Sequence, residues 1–466
     1  VGVATAVTLT TAGLIAAPLF AYLARHPGIE ARVTELSSPL RAALAGDWRP
    51  LWGNVLGSLR LFFVEGDSAW RYNIPGRPWL PPVWAVLFVV GLGTAVWWVV
   101  SQRERGGLET GDWRLETPNL QSLVPSLPKI PRMAAALTAL AWLGLGLSPV
   151  LVTGSELATT QAIGMQPVLY LFPALALAEI WRRVQGRWLV GLLALFLVGT
   201  AVFTYRDYFG RWTNAPEVRV QYEAAMVAAM AYLNENGTGA AAVSTITPAP
   251  EHTPALALLA LQNAAVTPRF FDGRGSLLLP DTAESLVVVP GFTPLALESF
   301  WDTAVLADTL PMRQTDLDKP VQIYRVNKAM IEQDWQSKLT VVEPTTLGSA
   351  ATLLGYSQSS GPNGAISVVT WWRGERPLPD AQLFTHLQGA DGAPVAQADR
   401  LDVPGAGWLA GDQFLQLHTL TLPPDLPDGR YPLVVGLCQQ TEAGCVRLTA
   451  ADGRDLILLT TVAITP

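Results

Sequence analysis

Residues 62–79, FFVEGDSAWRYNIPGRPW, bring together the carboxylates of Glu65 and Asp67, the guanidinium groups of Arg71 and Arg77, and the rings of Trp70, Tyr72 and Trp79, with Arg60 just upstream. A guanidinium is planar, permanently charged and shaped to grip two phosphate oxygens at once. Aromatic faces beside it stack on a sugar or line a lipid groove. The combination predicts a headgroup site for a phosphorylated lipid or a sugar, with Arg60, Arg71, Tyr72 and Arg77 as candidates for holding a donor phosphate. The same residue types suit a plain interfacial loop, whose arginines touch bilayer phosphates or pair with Glu65 and Asp67. Spacing alone favours the interfacial loop, since arginine and aromatic residues are expected at an interface in any case.

What must position this stretch is membrane. A helix needs about 17–25 apolar residues to cross a bilayer core, and five runs qualify with their flanks: 3–23, 84–100, 133–152, 162–181 and 188–204. The last of these divides the chain, because nothing comparable follows it. Arg182, Arg183 and Arg187 crowd the short loop before it, where no acidic neighbour is expected. Short loops rich in arginine stay in the cytoplasm, so the fifth run should exit the cell and the remainder should be extracytoplasmic. Alternation then puts the amphipathic segment 25–79 outside, 101–132 inside and 153–161 outside. Six arginines of the first segment (Arg32, Arg41, Arg49, Arg60, Arg71, Arg77) fall on the outer side, which a long loop tolerates.

Composition agrees with a divided chain. Mean hydropathy of +0.28 averages a strongly apolar first part with an ordinary second part. A net charge of −7 leaves no nucleic-acid footprint. Many of the 17 tryptophans, among them Trp48, Trp52, Trp79, Trp84, Trp97, Trp98 and Trp188, sit near span ends, as an interfacial aromatic belt requires. Val1 already lies in an apolar run without a basic leader. The sequence therefore reads as the later portion of a longer protein, and this portion alone is expected to be inactive.

Beyond the membrane runs, strand patterns at 240–246, 266–271, 285–289 and 321–326 alternate with helical patterns at 216–236 and 254–262. That predicts an α/β domain with a mainly parallel sheet. From about Leu339 short strands follow one another with Gly, Pro and Asp turns between them, and Asp391-Gly392 suits a hairpin. This texture predicts an antiparallel sandwich, jelly-roll or immunoglobulin-like. Cys438 and Cys445 flank a turn between two such strands, and a hairpin-closing disulfide is the preferred reading over two free thiols. Two cysteines without nearby histidine do not complete a zinc set.

Weaker candidates remain. His386 and His418 lie in strand patterns and could face each other. Ser244 and Ser276 lack a nucleophile-elbow context. Asn236-Gly237-Thr238 matches a glycosylation sequon. Residues 271–280 suit a ligand loop or a turn with an internal Asp272–Arg274 pair. Trp371, Trp372 and Trp408 would serve glycan binding if their rings faced solvent. No cofactor is expected.

Residues 66–92, GDSAWRYNIPGRPWLPPVWAVLFVVGL, resemble the segment before a late membrane helix in bacterial membrane glycosyltransferases of the GT-C fold, the group related to the dolichyl-phosphate-mannose mannosyltransferases and aminoarabinose transferases. Gly66, Asp67, Arg71, Asn73, Pro75, Gly76 and Pro78 carry the pattern. Residues 157–173 resemble a later span of that family. They keep Gly164 and Pro167 but have Ala158 or Thr159 and Gln161 where relatives carry His and Arg. The resemblance implies transfer of a sugar from a polyprenyl-phosphate donor to an extracytoplasmic glycan or lipid acceptor, with membrane lipids as surroundings. The family's catalytic carboxylates lie in an early external loop that has no counterpart here, so no catalytic residue is carried over.

The expected architecture is a partial, GT-C-like, multi-pass helical domain over 1–207, an extracytoplasmic α/β domain over 208–335 and an antiparallel β-sandwich over 336–466. A membrane-anchored carbohydrate-binding protein is the alternative. A transporter fits less well, because the spans are almost free of ionisable residues.

Overall fold

A computed structural model describes residues 38–104, 132–154, 158–184, 186–246, 252–361, 364–442 and 444–464, with a few scattered positions before 38. The chain forms two compact units, residues 1–215 and 216–466.

The first unit is helical. Helices α1 (Ser38–Leu44) and α2 (Arg49–Phe63) form within the segment expected to be external. They are followed by α3 (Pro82–Glu104), α4 (Arg132–Thr153), α5 (Leu171–Arg183) and α6 (Arg187–Tyr205). Four helical stretches are long and apolar enough to cross a membrane: Pro82–Ser101, Arg132–Thr153, Ile163–Arg183 and Trp188–Trp212. Most of the expected first run, 3–23, lies outside the described residues. The last stretch is longer than expected because α6 continues through a π-helical turn, Arg206–Trp212.

Small residues let these helices approach closely, as they must where lipid gives no hydrophobic drive for association. A side chain at Gly91 on α3 would meet the Phe172 carbonyl oxygen on α5 at 1.8 Å, and one at Gly146 would meet Met165. A row of rings runs through the centre of the unit: Phe62 to Phe88 at 5.6 Å, then Phe88 to Phe172 at 5.4 Å. The Asn54 side-chain amide on α2 donates to the Leu151 and Val152 carbonyls. These are among the last carbonyls of α4, which have no acceptor role inside their own helix. Contrary to the expectation of no acidic neighbour, Arg182 and Arg183 at the end of α5 both pair with Glu179, which lies one helical turn back on the same face.

The second unit begins with α7 (Pro216–Gln221) and α8 (Ala224–Asn236). It continues with β1 (Gly239–Ser244), α9 (Pro254–Ala260), β2 (Val266–Phe271), β3 (Ser276–Leu279), β4 (Glu284–Val289), β5 (Val305–Leu310), β6 (Val321–Asn327) and α10 (Lys328–Lys338). Strands β7 (Thr340–Leu347), β8 (Ala351–Ser360), β9 (Ile366–Gly374), β10 (Ala381–Gln388), β11 (Pro394–Asp399), β12 (Gln413–Leu420), β13 (Gly429–Thr441), β14 (Gly444–Arg447) and β15 (Ile457–Ile464) complete it.

The first sheet has the order β2-β1-β4-β6-β5. It is mixed rather than mainly parallel. β1 pairs in parallel with β2 and β4, while β6 runs antiparallel to both β4 and β5. No crossover helix lies between β5 and β6, and strands joined without one return antiparallel. Two antiparallel sheets form the remainder: β3-β12-β9-β8-β7, and β11-β10-β13-β14 with β15 on β13. They share one buried core, with Leu353, Trp372 and Phe414 from one sheet and Leu383, Leu433 and Leu437 from the other. The expected division at 335/336 is crossed twice. Helix α10 runs through it, and β3, far upstream, is an edge strand of a sandwich sheet.

Candidate functional site

The loop after α2 is built by its own side chains. Gly66 lies against the Arg77 carbonyl, where any Cβ would come within 1.7 Å of the oxygen. Asp67 Oδ1 accepts the Ala69 N–H at 2.9 Å, an Asx turn. The Asp67 carbonyl accepts the Gly76 N–H, and Gly76 takes a φ of +72° that other residues resist. The Asn73 amide donates to the Arg77 carbonyl at 3.0 Å. Trp79 and Leu80 then donate backbone bonds to the Leu61 and Phe62 carbonyls, tying the loop to the end of α2. Gly66, Asp67, Asn73 and Gly76 of the sequence pattern are thus the residues that fold this loop, and what the fold presents is Arg77.

Arg77 lies in the wall of a cleft of about 320 Å³. Tyr72, Asn73, Trp79 and Trp84 line it from the loop and the start of α3. Gln166 and Tyr170 line it from the short turns before α5, and Thr200 and Thr204 from α6. Trp84 organises the apolar wall, with its ring against Tyr170 at 5.8 Å and Phe196 at 5.1 Å and its indole N–H toward Thr200 Oγ1 at 3.4 Å. The Arg77 guanidinium stacks over Phe203 at 5.0 Å, and its Nη1 bonds Asp207 Oδ2 at 2.5 Å. The arrangement is a half-buried cation at the mouth of an aromatic cleft, beside helices of membrane-spanning length. Its polar groups (a guanidinium, two amides, two aliphatic hydroxyls and two phenols) can hydrogen-bond an anion and a neighbouring polyol.

The four candidate residues separate. Tyr72 and Arg77 line the cleft, whereas Arg60 and Arg71 are not among its lining residues. Arg60 is exposed and pairs with Glu65 at 2.8 Å. Arg71 is exposed, with its guanidinium 5.7 Å from the Tyr72 ring centroid. Asp67 folds the loop instead of pairing with an arginine, and its Oδ2 is buried without a hydrogen-bond partner. Sequence reasoning missed Asp207, Trp84, Gln166 and the two threonines of α6. The one available signal was a carboxylate, Asp207, three residues past the end of the apolar run 188–204.

In the second unit Cys438 and Cys445 are bonded across the hairpin of β13 and β14. Asp272 and Arg274 pair within their turn, the guanidinium reaching the carboxylate at 2.7 Å. His386 and His418 stand on strands of different sheets. His386 bonds Asp399 at 3.0 Å, while His418 donates from Nδ1 to the Ala398 carbonyl at 3.1 Å. Burial pushes the His418 imidazole down to about 4. Burial also raises the Asp402 carboxyl, against the pull of Arg400 and Gln416. Arg219, bonded to both oxygens of Asp316, lowers that carboxyl. Trp371, Trp372 and Trp408 are all buried. Trp371 is covered by Trp335 of α10, and Trp408 stacks on Phe414.

No protein-family model matches this chain, and no curated protein matches it. Among solved structures it is similar to the crystal structure of the C-terminal domain of Wzt, with a TM-score of 0.20 and 16% identity over 26% of this chain and 81% of that one. A similarity at that level establishes neither fold nor function.

Proposed function

We propose that the cleft around Arg77 holds the phosphate of a lipid-linked sugar. On this reading the chain is part of a membrane glycosyltransferase that passes a sugar from a polyprenyl-phosphate donor to an acceptor outside the cytoplasm. The observation that carries the reading is Arg77 itself: a half-buried guanidinium in an aromatic cleft beside apolar helices. A phosphate bound there would receive charge-assisted bonds, stronger than neutral ones. The tail of such a lipid would lie along the apolar helices. Tyr72 and Asn73 would hydrogen-bond the sugar, and Trp79 and Trp84 would offer it ring faces.

In the transfer step the acceptor's hydroxyl oxygen bonds the sugar's anomeric carbon as the bond from that carbon to the phosphate oxygen breaks, and negative charge grows on the departing phosphate. Arg77 would stabilise that charge where it develops. A carboxylate acting as general base must take the proton of the acceptor hydroxyl; no residue of this chain is assigned that role. Glycan binding by the sandwich tryptophans is the less favoured reading, because their rings are buried.

The test is binding of a polyprenyl monophosphate to the purified protein in nanodiscs of neutral lipid. Arg77→Gln should weaken binding at least about tenfold, the scale of losing one charged hydrogen-bond donor. Arg60→Gln, whose guanidinium lies outside the cleft, should leave it within about twofold. Equal binding by wild type and Arg77→Gln would remove the site.

A further inference from the structure

The cation of the cleft is already occupied. Asp207 is buried to 9% exposure on the π-helical turn that ends α6, and its carboxylate bonds the Arg77 guanidinium. Phe203, one turn earlier on the same helix, packs on that same guanidinium. The far end of the π turn is tied to the same loop, since the Trp212 indole N–H donates to the Trp70 carbonyl at 2.8 Å. Tyr208 stacks on Trp212 at 5.1 Å within the turn. Arg77 lines the cleft, whereas Asp207 is not among the lining residues. An anion entering the cleft therefore meets a guanidinium whose charge is balanced from outside the cleft.

We propose that Asp207 is a resident counter-ion, displaced when a lipid phosphate binds Arg77, and that its release loosens the π turn Arg206–Trp212. The proposal rests on the phosphate reading of the cleft and adds a latch to it. The physical reason is local. Two anions about one half-buried guanidinium repel each other strongly where water is scarce. The carboxylate and the ligand therefore compete for one positive charge. π turns are rare and frequently mark functional sites; this one ends α6, and the contacts of Asp207 and Trp212 hold its two ends. Because coupling is reciprocal, what the ligand does to the turn, the turn must do to the ligand.

Two measurements on the full chain in neutral-lipid nanodiscs test this. The first is affinity for a polyprenyl monophosphate. Asp207→Asn keeps the shape and removes the competing charge, so it should bind about tenfold more tightly than wild type. The second needs no variant. Hydrogen exchange of the amides in 206–212 of the wild-type protein should speed up several-fold when the lipid is added. Unchanged or weaker binding by Asp207→Asn, or unchanged or slower exchange on adding lipid, would overturn the latch and make Asp207 a group that merely positions Arg77. That outcome, with Arg77→Gln still impaired, leaves the phosphate reading standing. Loss of the Arg77→Gln effect sinks both. A parallel titration with phosphatidylglycerol identifies the source of the phosphate: faster exchange with the polyprenyl lipid alone assigns the latch to the donor, and faster exchange with phosphatidylglycerol alone assigns it to a bilayer headgroup.

Discussion

Among the described residues, His418 is one whose surroundings strongly alter its chemistry. Its ring is 1% exposed, Nδ1–H is used by the Ala398 carbonyl, and Nε2 is buried without a partner. Protonating Nε2 would put an uncompensated charge into the core between two sheets, and burial pushes the folded-state pKa from 6.5 down to about 4. The unfolded chain therefore binds a proton at His418 between about pH 6.5 and pH 4 that the folded chain refuses. Stability rises with pH wherever the unfolded state holds more protons. The second unit should accordingly lose up to about 3 kcal/mol as pH falls through that window. His418→Asn can still donate to Ala398 and has nothing to titrate. Urea unfolding at pH 7 and pH 4.5 should show a smaller pH-dependent loss in the variant than in the wild type, and an equal loss would clear His418 of the effect.

At the scale of elements, β3 has the clearest consequence. It lies between β2 and β4 in sequence yet pairs with β12, from Ser276–Gln416 to Leu279–Gln413. Its Leu277, Leu278 and Leu279 are each at most 2% exposed. Polar ties run alongside. Arg269 bonds Asp412 at 2.7 Å, Asp412 accepts the Asp281 N–H at 2.9 Å, and the Gln416 amide donates to the Gly275 carbonyl at 3.1 Å. Burying a leucine contributes about 1.5–3 kcal/mol, so these three account for a sum comparable to the roughly 5–15 kcal/mol of a whole domain. A fragment of residues 336–466 should therefore be unfolded or insoluble. A fragment of residues 216–466 should fold and melt in one transition. Circular dichroism and calorimetry decide it, and a soluble, cooperatively melting 336–466 would show that β3 is dispensable.

For the whole molecule the governing question is sidedness. Helices of membrane-spanning length end at Trp212, and the second unit begins at Pro216. Arg182 and Arg183 are paired with Glu179, but acidic residues weigh little in the topology rule, which counts lysine and arginine. We therefore expect the second unit on the outer side, where the disulfide of Cys438 and Cys445 is stable. A tag after Pro466 should be digested by protease added to intact spheroplasts. Survival of the tag, with digestion after lysis, would place the unit in the cytoplasm, and the proposed donor chemistry would lose its compartment.

The features readable in the sequence were those that depend on neighbours along the chain. Apolar length marked five runs, and the four that fall on described residues are helices long enough to cross, because a helix satisfies its own backbone and needs only enough greasy residues. Alternation and turn residues marked most strands, since side chains on a strand point to opposite faces in turn. The cysteine pair closes a local hairpin. The loop of residues 66–80 stood out for its composition, but not which arginine it serves: Arg71 and Arg77 look equivalent in sequence, and only the close approach of Gly66 to the Arg77 carbonyl, the Asn73 side-chain bond to that carbonyl and the Gly76 turn bring Arg77 to the cleft. Three further facts depended on tertiary structure because they join residues distant along the chain: Asp207 meeting Arg77, β3 entering a sandwich sheet, and α10 covering Trp371. No local pattern encodes such pairings, because each is chosen by the packing of the surfaces that carry it.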